Sequence, residues 1–380
     1  MGNAIRWSGA RIVAAGMGAM LLAAWGSSGG GERRGEPKDG TEQDARIDTV
    51  PLLTIGDDPG DPLHRVSGAV LVGDTLIIAQ STSLRFYDRH SGEFLQRAGR
   101  RGDGPGEYRE IASLQRVGER LYTYDFFSRR VTVRDLSGAL ERTVDIEYWA
   151  PYRTPDLVGV FGDGSFLFAA EFRDYDNPAR SPMFRRAVMV LGRYDPDGLL
   201  VDSLGYYLGP ERYVAPNERG GKTRGQPPPF GRRSSAGVIG DEFYILNNKV
   251  AMIPVFDAAG TLVREIGPDT PPDPVRISRE DLHRFADFDD IDRDDLPQFY
   301  PFYSRGSAVV GGTIWIQDYL DRERDQGADW TVYSHEGQQL RRVTTRERLK
   351  ILTVDGDVAV VVHFGGWDVE TVQLRRVVSP

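Results

Sequence analysis

Between Gly99 and Gly138 the chain reads GRRGDGPGEYREIASLQRVGERLYTYDFFSRRVTVRDLSG, a glycine-rich turn, three short strands of alternating pattern and an Asp-x-x-Gly hairpin. The hairpin chemistry recurs at Tyr87-Asp88 to Gly92, Arg134-Asp135 to Gly138, Tyr194-Asp195 to Gly198, Phe256-Asp257 to Gly260 and Tyr333-Ser334 to Gly337. At each place a short polar side chain can accept backbone N–H groups while glycine supplies the positive φ that closes the turn. An apolar strand follows each turn, as in Leu262–Ile266. A unit this small cannot bury its own faces, so copies must stack on one another, and a ring of such copies is a β-propeller.

Five hairpins imply five complete four-stranded blades. Beyond the fifth lie Lys350–Val354, Asp357–His363 and Glu370–Val378, three strands with no fourth. The apolar segment Thr49–Ile55, ahead of the first blade, can supply it and close the ring, which leaves no open strand edge. The expected fold is therefore an all-β, six-bladed β-propeller over residues 45–380, with an N-terminal strand completing the last blade. Insertions interrupt it near 210–230, where Arg219–Pro229 reads as a long exposed loop, and at 277–296. In the second insertion Ser278 can cap a short helix with Asp281 as the reciprocal acceptor, and Leu282, Phe285 and Ala286 form its apolar stripe.

The run Gly102-Asp103-Gly104-Pro105-Gly106-Glu107-Tyr108, followed by Leu121-Tyr122-Thr123-Tyr124-Asp125 and Ser128-Arg129-Arg130-Val131, resembles the NHL repeat. The region from about Arg46 to Val378 resembles the bacterial exported six-bladed propellers related to it. Further landmarks are Pro228-Pro229-Phe230-Gly231, Pro297, Pro301, Thr313-Ile314-Trp315-Ile316 and Trp330-Thr331-Val332-Tyr333. The resemblance implies a fold and an exported address, and no agreed reaction.

Arg6 and Arg11 precede an apolar run from Ile12 to Ala24, and small residues follow from Gly26, so residues 1–26 read as a cleaved export signal. A spanning helix needs about 20 apolar residues, so the run predicts no membrane span in the mature chain. Trp25 stands where a lipoprotein signal would carry its lipidated cysteine, and the chain has no cysteine at all. Residues 27–44 have the composition of a solvated tether. The expected destination is the periplasm or the extracellular space, and the expected state a monomer. The formal charge is −9, or −11 without residues 1–26, which excludes the clustered cations of a nucleic-acid binder.

Alignment of the second strands places one polar residue after each apolar run: Gln80, Asp125, Glu171, Asn247, Asp318 and His363. Around one axis these could form a ring at the channel mouth. Asp125, with Arg130 five residues on, is expected to brace its blade, as strand-end carboxylates do by accepting turn N–H groups. Gln80, Glu171, Asn247, Asp318 and His363 are the ligand-binding candidates. Calcium is the cofactor this pattern could hold, because a hard cation wants convergent carboxylate and amide oxygens, here those of Asp125, Glu171, Asn247 and Asp318. The five histidines lack zinc-ligand spacing. The acid run Asp287, Asp289, Asp290, Asp292, Asp294 and Asp295 fails as a calcium loop, with Asp295 where glycine is needed and Pro301 where the bidentate glutamate is needed. Arg101-Gly102-Asp103 is explained by the inter-blade turn. Two functions follow: a non-catalytic binding protein for a protein, peptide or glycan, or a calcium-assisted hydrolase or lyase at the channel mouth.

Overall fold

All five Asp/Ser-to-Gly turns join the third and fourth strands of a four-stranded antiparallel meander. The computed structural model describes residues 44–379 except 59, 151, 153, 173–182, 215–225, 289–290, 292–295, 311, 320–326 and 366–369. The leader and all but Asp44 of the tether lie outside the described residues. Two short strands open the chain, β1 (Ala45–Ile47) and β2 (Leu53–Ile55). The meanders follow as β3 (Val66–Val72), β4 (Thr75–Gln80), β5 (Ser83–Asp88) and β6 (Phe94–Ala98), then β7 (Ile111–Val117), β8 (Arg120–Asp125), β9 (Arg130–Asp135) and β10 (Leu140–Asp145). Next come β11 (Asp156–Val160), β12 (Phe166–Phe172), β13 (Met183–Tyr194) and β14 (Leu200–Val214), and β15 (Ser234–Ile239), β16 (Glu242–Asn247), β17 (Ile253–Asp257) and β18 (Leu262–Ile266). The chain ends with β19 (Tyr303–Val310), β20 (Thr313–Asp318), β21 (Ala328–Tyr333) and β22 (Gln339–Thr345), and with β23 (Leu349–Asp355), β24 (Val358–Phe364) and β25 (Glu370–Val378). The first four meanders are separate sheets, and the last two groups are joined through β1.

The turns work as their residue types dictate. Asp135 Oδ1 accepts the Ala139 N–H at 2.9 Å, the Gly138 N–H donates to the Asp135 carbonyl at 3.0 Å, and Gly138 has φ +87°. Asp195 and Asp257 repeat the pattern on the Leu199 and Thr261 N–H groups, and the Ser334 hydroxyl accepts from Gln338.

Burial grades across each sheet. From Leu76 to Gln80 every residue of β4 is buried, whereas Phe94–Arg97 of β6 are exposed, and β8 and β10 differ in the same sense. This follows if inner strands are covered on both faces and fourth strands form a rim. The apolar side chains accordingly gather in seams between consecutive sheets. Ile77 and Phe86 meet Ile111 and Leu121; Tyr124 and Val133 meet Phe168 and Tyr194; Leu167 and Leu191 meet Phe243 and Ile245. Tyr244 and Ile253 meet Ile314 and Tyr333; Trp315 and Trp330 meet Ile351 and Val361; and Val360 and Val362 meet Ala69 and Leu71, which returns to the first meander. The first strands form the same cycle, with β23 lying beside both β19 and β3. Each fully buried Val, Leu, Ile or Phe contributes about 1.5–3 kcal/mol, so the seams hold this all-β, propeller-like arrangement together without one central core.

At the closure Leu53, Thr54 and Ile55 of β2 pair with Leu374, Gln373 and Val372 of β25, so only the last three residues of the Thr49–Ile55 segment are strand. β1, which the sequence did not suggest, lies between β22 and β25, parallel to the first and antiparallel to the second. Arg375, with its side chain 3% exposed, donates to the Asp48 carbonyl at 3.2 Å and to Glu347 Oε2 at 3.1 Å. The amino-terminal segment is thus tied to the last strand by ladder bonds and by a buried guanidinium.

The insertion at 277–296 holds a 3-10 helix, Asp281–Phe288. The expected hydroxyl cap forms, the Asp281 N–H donating to Ser278 Oγ at 3.1 Å and that hydroxyl to Asp281 Oδ2 at 2.7 Å, but the Ser278 N–H goes to the Tyr300 hydroxyl at 3.1 Å, so the box is not closed through the backbone. The apolar stripe is corrected, since Phe285 is buried and Leu282 is exposed. Part of the region near 210–230 is an extension of the β13–β14 hairpin, paired as far as Met183 and Val214. No helix among the described residues is long and apolar enough to cross a membrane.

Candidate binding site on the loop face

Antiparallel meanders have two ends with different duties. Turns from first to second strands and from third to fourth emerge at one end, and these are all short, as at 73–74, 118–119 and 136–139. Second-to-third connections and the crossings between sheets emerge at the other end, which therefore carries 99–110, 226–233 and the described parts of 146–155 and 267–302. Function on a propeller concentrates where connections are long, because a rigid ring positions loops that can vary.

The second strands end on this loop face, and Gln80, Asp125 and Asn247 accept backbone N–H groups there. Gln80, 5% exposed, accepts the His64 N–H through Oε1 at 3.0 Å. Asp125, 1% exposed, accepts four N–H groups, from Arg109 at 2.6 Å, Phe127 at 2.9 Å, Ser128 at 3.1 Å and Glu110 at 3.4 Å. In the β15–β18 sheet the equivalent latch belongs to Asn248, whose Oδ1 accepts the Arg233 N–H at 2.8 Å. Asn247 Oδ1 instead takes the Lys249 N–H at 3.2 Å, within its own turn. The geometry latches the end of a second strand to the entry of the first.

Arg130 faces Asp125 across β8–β9, yet their side chains part. Arg130 binds Asp145 at 3.0 Å and donates to the Asp103 carbonyl at 2.9 Å, so the two residues grip the glycine-rich turn from different sides. Within that turn Glu107 accepts the Gly104 N–H, and Asp103 of the Arg-Gly-Asp triplet is paired with Arg109 at 2.6 Å.

Asp318 accepts the Thr331 hydroxyl at 3.0 Å and faces Arg342 at 3.5 Å. Burial pushes its carboxyl above the usual range, opposed by those two partners. His363 Nε2 lies 3.2 Å from Glu347, the carboxylate that Arg375 also holds. Glu171 is half-buried on β12 opposite Met189. Gln80, Asn247, Asp318 and His363 thus find partners in nearby segments and not in one another. Among the described residues no group of three or more His, Asp or Glu is arranged to hold a metal ion.

A different feature of the loop face is concave. Between the β13–β14 extension and the 267–302 insertion lies a cavity of about 630 Å³. Its wall is built around Phe230, a non-glycine residue at φ +52° after Pro228-Pro229, whose ring sits 5.1 Å from Tyr300 and 5.8 Å from Phe285. The Arg284 guanidinium lies 4.8 Å over the same ring, and Tyr300 stacks on Tyr319 at 5.6 Å. This packing holds Phe230 in a conformation that costs about 1–3 kcal/mol. Pro274, Pro297 and Pro301 stiffen the rim.

Among the described residues the charged lining is Glu211, Arg232 and Lys249. Glu211 is buried, accepts the Arg232 N–H at 3.0 Å and lies 3.9 Å from that guanidinium, so its charge is locally answered. Across the hairpin stands Arg186, held low in pKa by burial and donating to the Leu208 and Gly209 carbonyls. Sequence reasoning missed this cavity as a site. Its signal was the density of proline and aromatic residues in the two insertions, read there only as landmarks.

No protein-family model matches this chain, and no curated protein matches it. Solved structures do resemble it. A member of the DUF4221 family from Bacteroides vulgatus is 9% identical, with a TM-score of 0.50 over 89% of this chain and 99% of the other. A Bacteroides fragilis protein named as exported is 12% identical, with a TM-score of 0.47 over 89% and 97% of the two chains. The β-propeller domain of a Myceliophteria thermophila protein is 12% identical, with a TM-score of 0.37 over 86% and 99%. The first of these shows a shared fold and nothing about a ligand.

Proposed function

We propose that the chain is an exported, six-bladed β-propeller of NHL-like type that acts as a non-catalytic binding protein. In this reading the six blades are the five four-stranded meanders plus β23–β25 completed by β2. The cyclic order of the seams and the pairing of Leu53–Ile55 with β25 support it. Export rests on the leader character of residues 6–26. The ligand is a protein, peptide or glycan gripped at the loop face.

The observation that carries the binding reading is the 630 Å³ aromatic and proline-lined cavity on the end of the ring where the long connections converge. Its size is that of cavities which enclose a drug-sized group or a few residues of a larger ligand. Its one carboxylate among the described lining residues is committed to Arg232, so the surface offers shape and charge to a ligand.

The test is ligand mapping by thermal shift. Peptides, oligosaccharides and small organic molecules are screened against the wild type, a loop-face variant, Met183→Trp, and an opposite-face variant, Arg142→Glu. Met183 is an exposed cavity residue, and Arg142 lies on the short-turn end. A ligand that binds only the folded state raises its stability. Shifts lost in Met183→Trp and kept in Arg142→Glu support the reading; the reverse pattern, or turnover of a screened compound, contradicts it.

A further inference from the structure

We infer that the loop-face cavity takes a carboxylate carried on an apolar, ring-sized body, an inference that rests on the binding reading and names its ligand class. The argument begins with charge. The protein as a whole is acidic, with a formal charge of −9, so a long-range field favours cations near its surface. The cavity departs from that background. Among the described residues its charged lining is two cations and one anion, and the anion is spent. Glu211 is 6% exposed, accepts the Arg232 backbone N–H and lies against the Arg232 guanidinium. Lys249 is exposed at the cavity, and no carboxylate of the described residues pairs with its amine. The open electrostatic demand is thus for one negative charge. A cationic ligand would meet Lys249 and Arg232 with no second carboxylate among the described lining residues to answer it.

Position supports the assignment. Lys249 sits two residues after Asn247, whose side chain fixes the Lys249 N–H, and next to Asn248, whose amide is bonded to Arg233 and Gly231. The lysine therefore springs from a pinned turn at the edge of the aromatic wall. Apart from Asn248 and Gln298, the rest of the described lining is apolar or aromatic, with Phe184, Phe230, Phe299, Tyr300 and Phe302 beside three prolines. Such a wall takes an aromatic or branched aliphatic body by area and by ring contact. A single lysine suits a monoanion, whereas a phosphate dianion calls for several converging donors. The two sources of this chemistry are a free organic acid and the terminal carboxylate of a peptide ending in an apolar residue.

The probes are N-acetylphenylalanine, its uncharged amide, and N-acetyl-Gly-Gly-Phe with a free carboxyl end, titrated calorimetrically into the purified full chain. The acid is expected to bind about two- to fivefold more tightly than the amide, the range of an ion pair at an exposed site. Lys249→Met should bring the acid down to the affinity of the amide while leaving the amide unchanged, and Lys249→Arg should retain most of the preference. Tighter binding of the tripeptide than of N-acetylphenylalanine assigns a peptide terminus, and the reverse assigns a free acid. Equal affinity of acid and amide in the wild type, a preference that survives Lys249→Met, or no saturable binding of either acid would each overturn the inference. None of these results removes the loop-face reading, which stands or falls on the Met183→Trp and Arg142→Glu comparison.

Discussion

Asp125→Ala is the most direct probe of what the strand-end polar residues do. In the folded chain its carboxylate is buried and takes N–H groups from both of the segments it touches, Arg109 and Glu110 at the entry of β7 and Phe127 and Ser128 in the turn after β8. A hydrogen bond to a charged group contributes about 1.5–3 kcal/mol net, and removing the acceptor leaves donors without partners. Counting only the two shortest contacts, at 2.6 and 2.9 Å, gives a loss of about 4 kcal/mol, a large part of the roughly 5–15 kcal/mol that holds a protein folded. Asp125→Asn keeps one acceptor oxygen and turns an NH2 group toward the other N–H groups, so about half that loss is expected. Gln80→Ala removes one neutral hydrogen bond at 3.0 Å and should cost about 1 kcal/mol. Urea unfolding followed by tryptophan fluorescence measures all three, with unchanged m-values as the check that midpoints report stability. An Asp125→Ala protein within about 1 kcal/mol of wild type, or less affected than Gln80→Ala, would refute the latch.

Four further outcomes follow from the geometry. Gly138 has φ +87° and an added Cβ would lie 2.7 Å from Phe86, so Gly138→Ala should cost about 2–4 kcal/mol by thermal or urea unfolding. Gly73→Ala, at φ +54° with open space around it, should cost only about 1 kcal/mol, the backbone strain alone. Because burial raises the Asp318 carboxyl above its unfolded value of about 3.9, the fold prefers the protonated acid and loses stability as pH rises through the raised pKa. Asp318→Asn, which keeps an acceptor for Thr331, should therefore match wild type below about pH 4 and exceed it at neutral pH, seen as diverging melting temperatures. Arg375→Ala removes the grip on Asp48 and Glu347 and should raise amide exchange at residues 46–55 more than at β8 or β16, measured by hydrogen exchange with mass spectrometry.

The hairpins could be read from sequence because their chemistry is local: Asp135 and Gly138 define a turn without help from the rest of the chain. The closing strand was legible for a different reason, since Leu52, Leu53 and Ile55 form an apolar segment ahead of the first complete meander, which has no need of it. β1 was not legible, because Ala45–Ile47 is three residues long and gains its pairing only from two strands some 300 positions away. The strand-end polar residues show where sequence stops. An alignment finds a polar side chain at a position but not its direction, and Gln80 and Asp125 turn to the backbone. With two asparagines in a row it also cannot say that Asn248 takes the latch and Asn247 the turn. The cavity escaped because Met183, Glu211, Phe230, Lys249 and Tyr300 come from separate segments, and only the fold brings them to one place.

The pairing of β2 with β25 closes the cycle of sheets, and an engineered disulfide tests it most directly. Thr54 and Gln373 are register partners on β2 and β25, so cysteines there fall within the Cα separation a disulfide accepts, about 4.4–6.8 Å. The chain has no other cysteine to compete. Thr54→Cys with Gln373→Cys should oxidise to a single intramolecular cross-link, visible as a mobility shift on non-reducing gels, and should stabilise the protein by roughly 6 kcal/mol in the chain-entropy account because the bond closes a loop of about 320 residues. Free thiols in the native protein under mild oxidant, or cross-linking only between separate molecules, would contradict the closed ring.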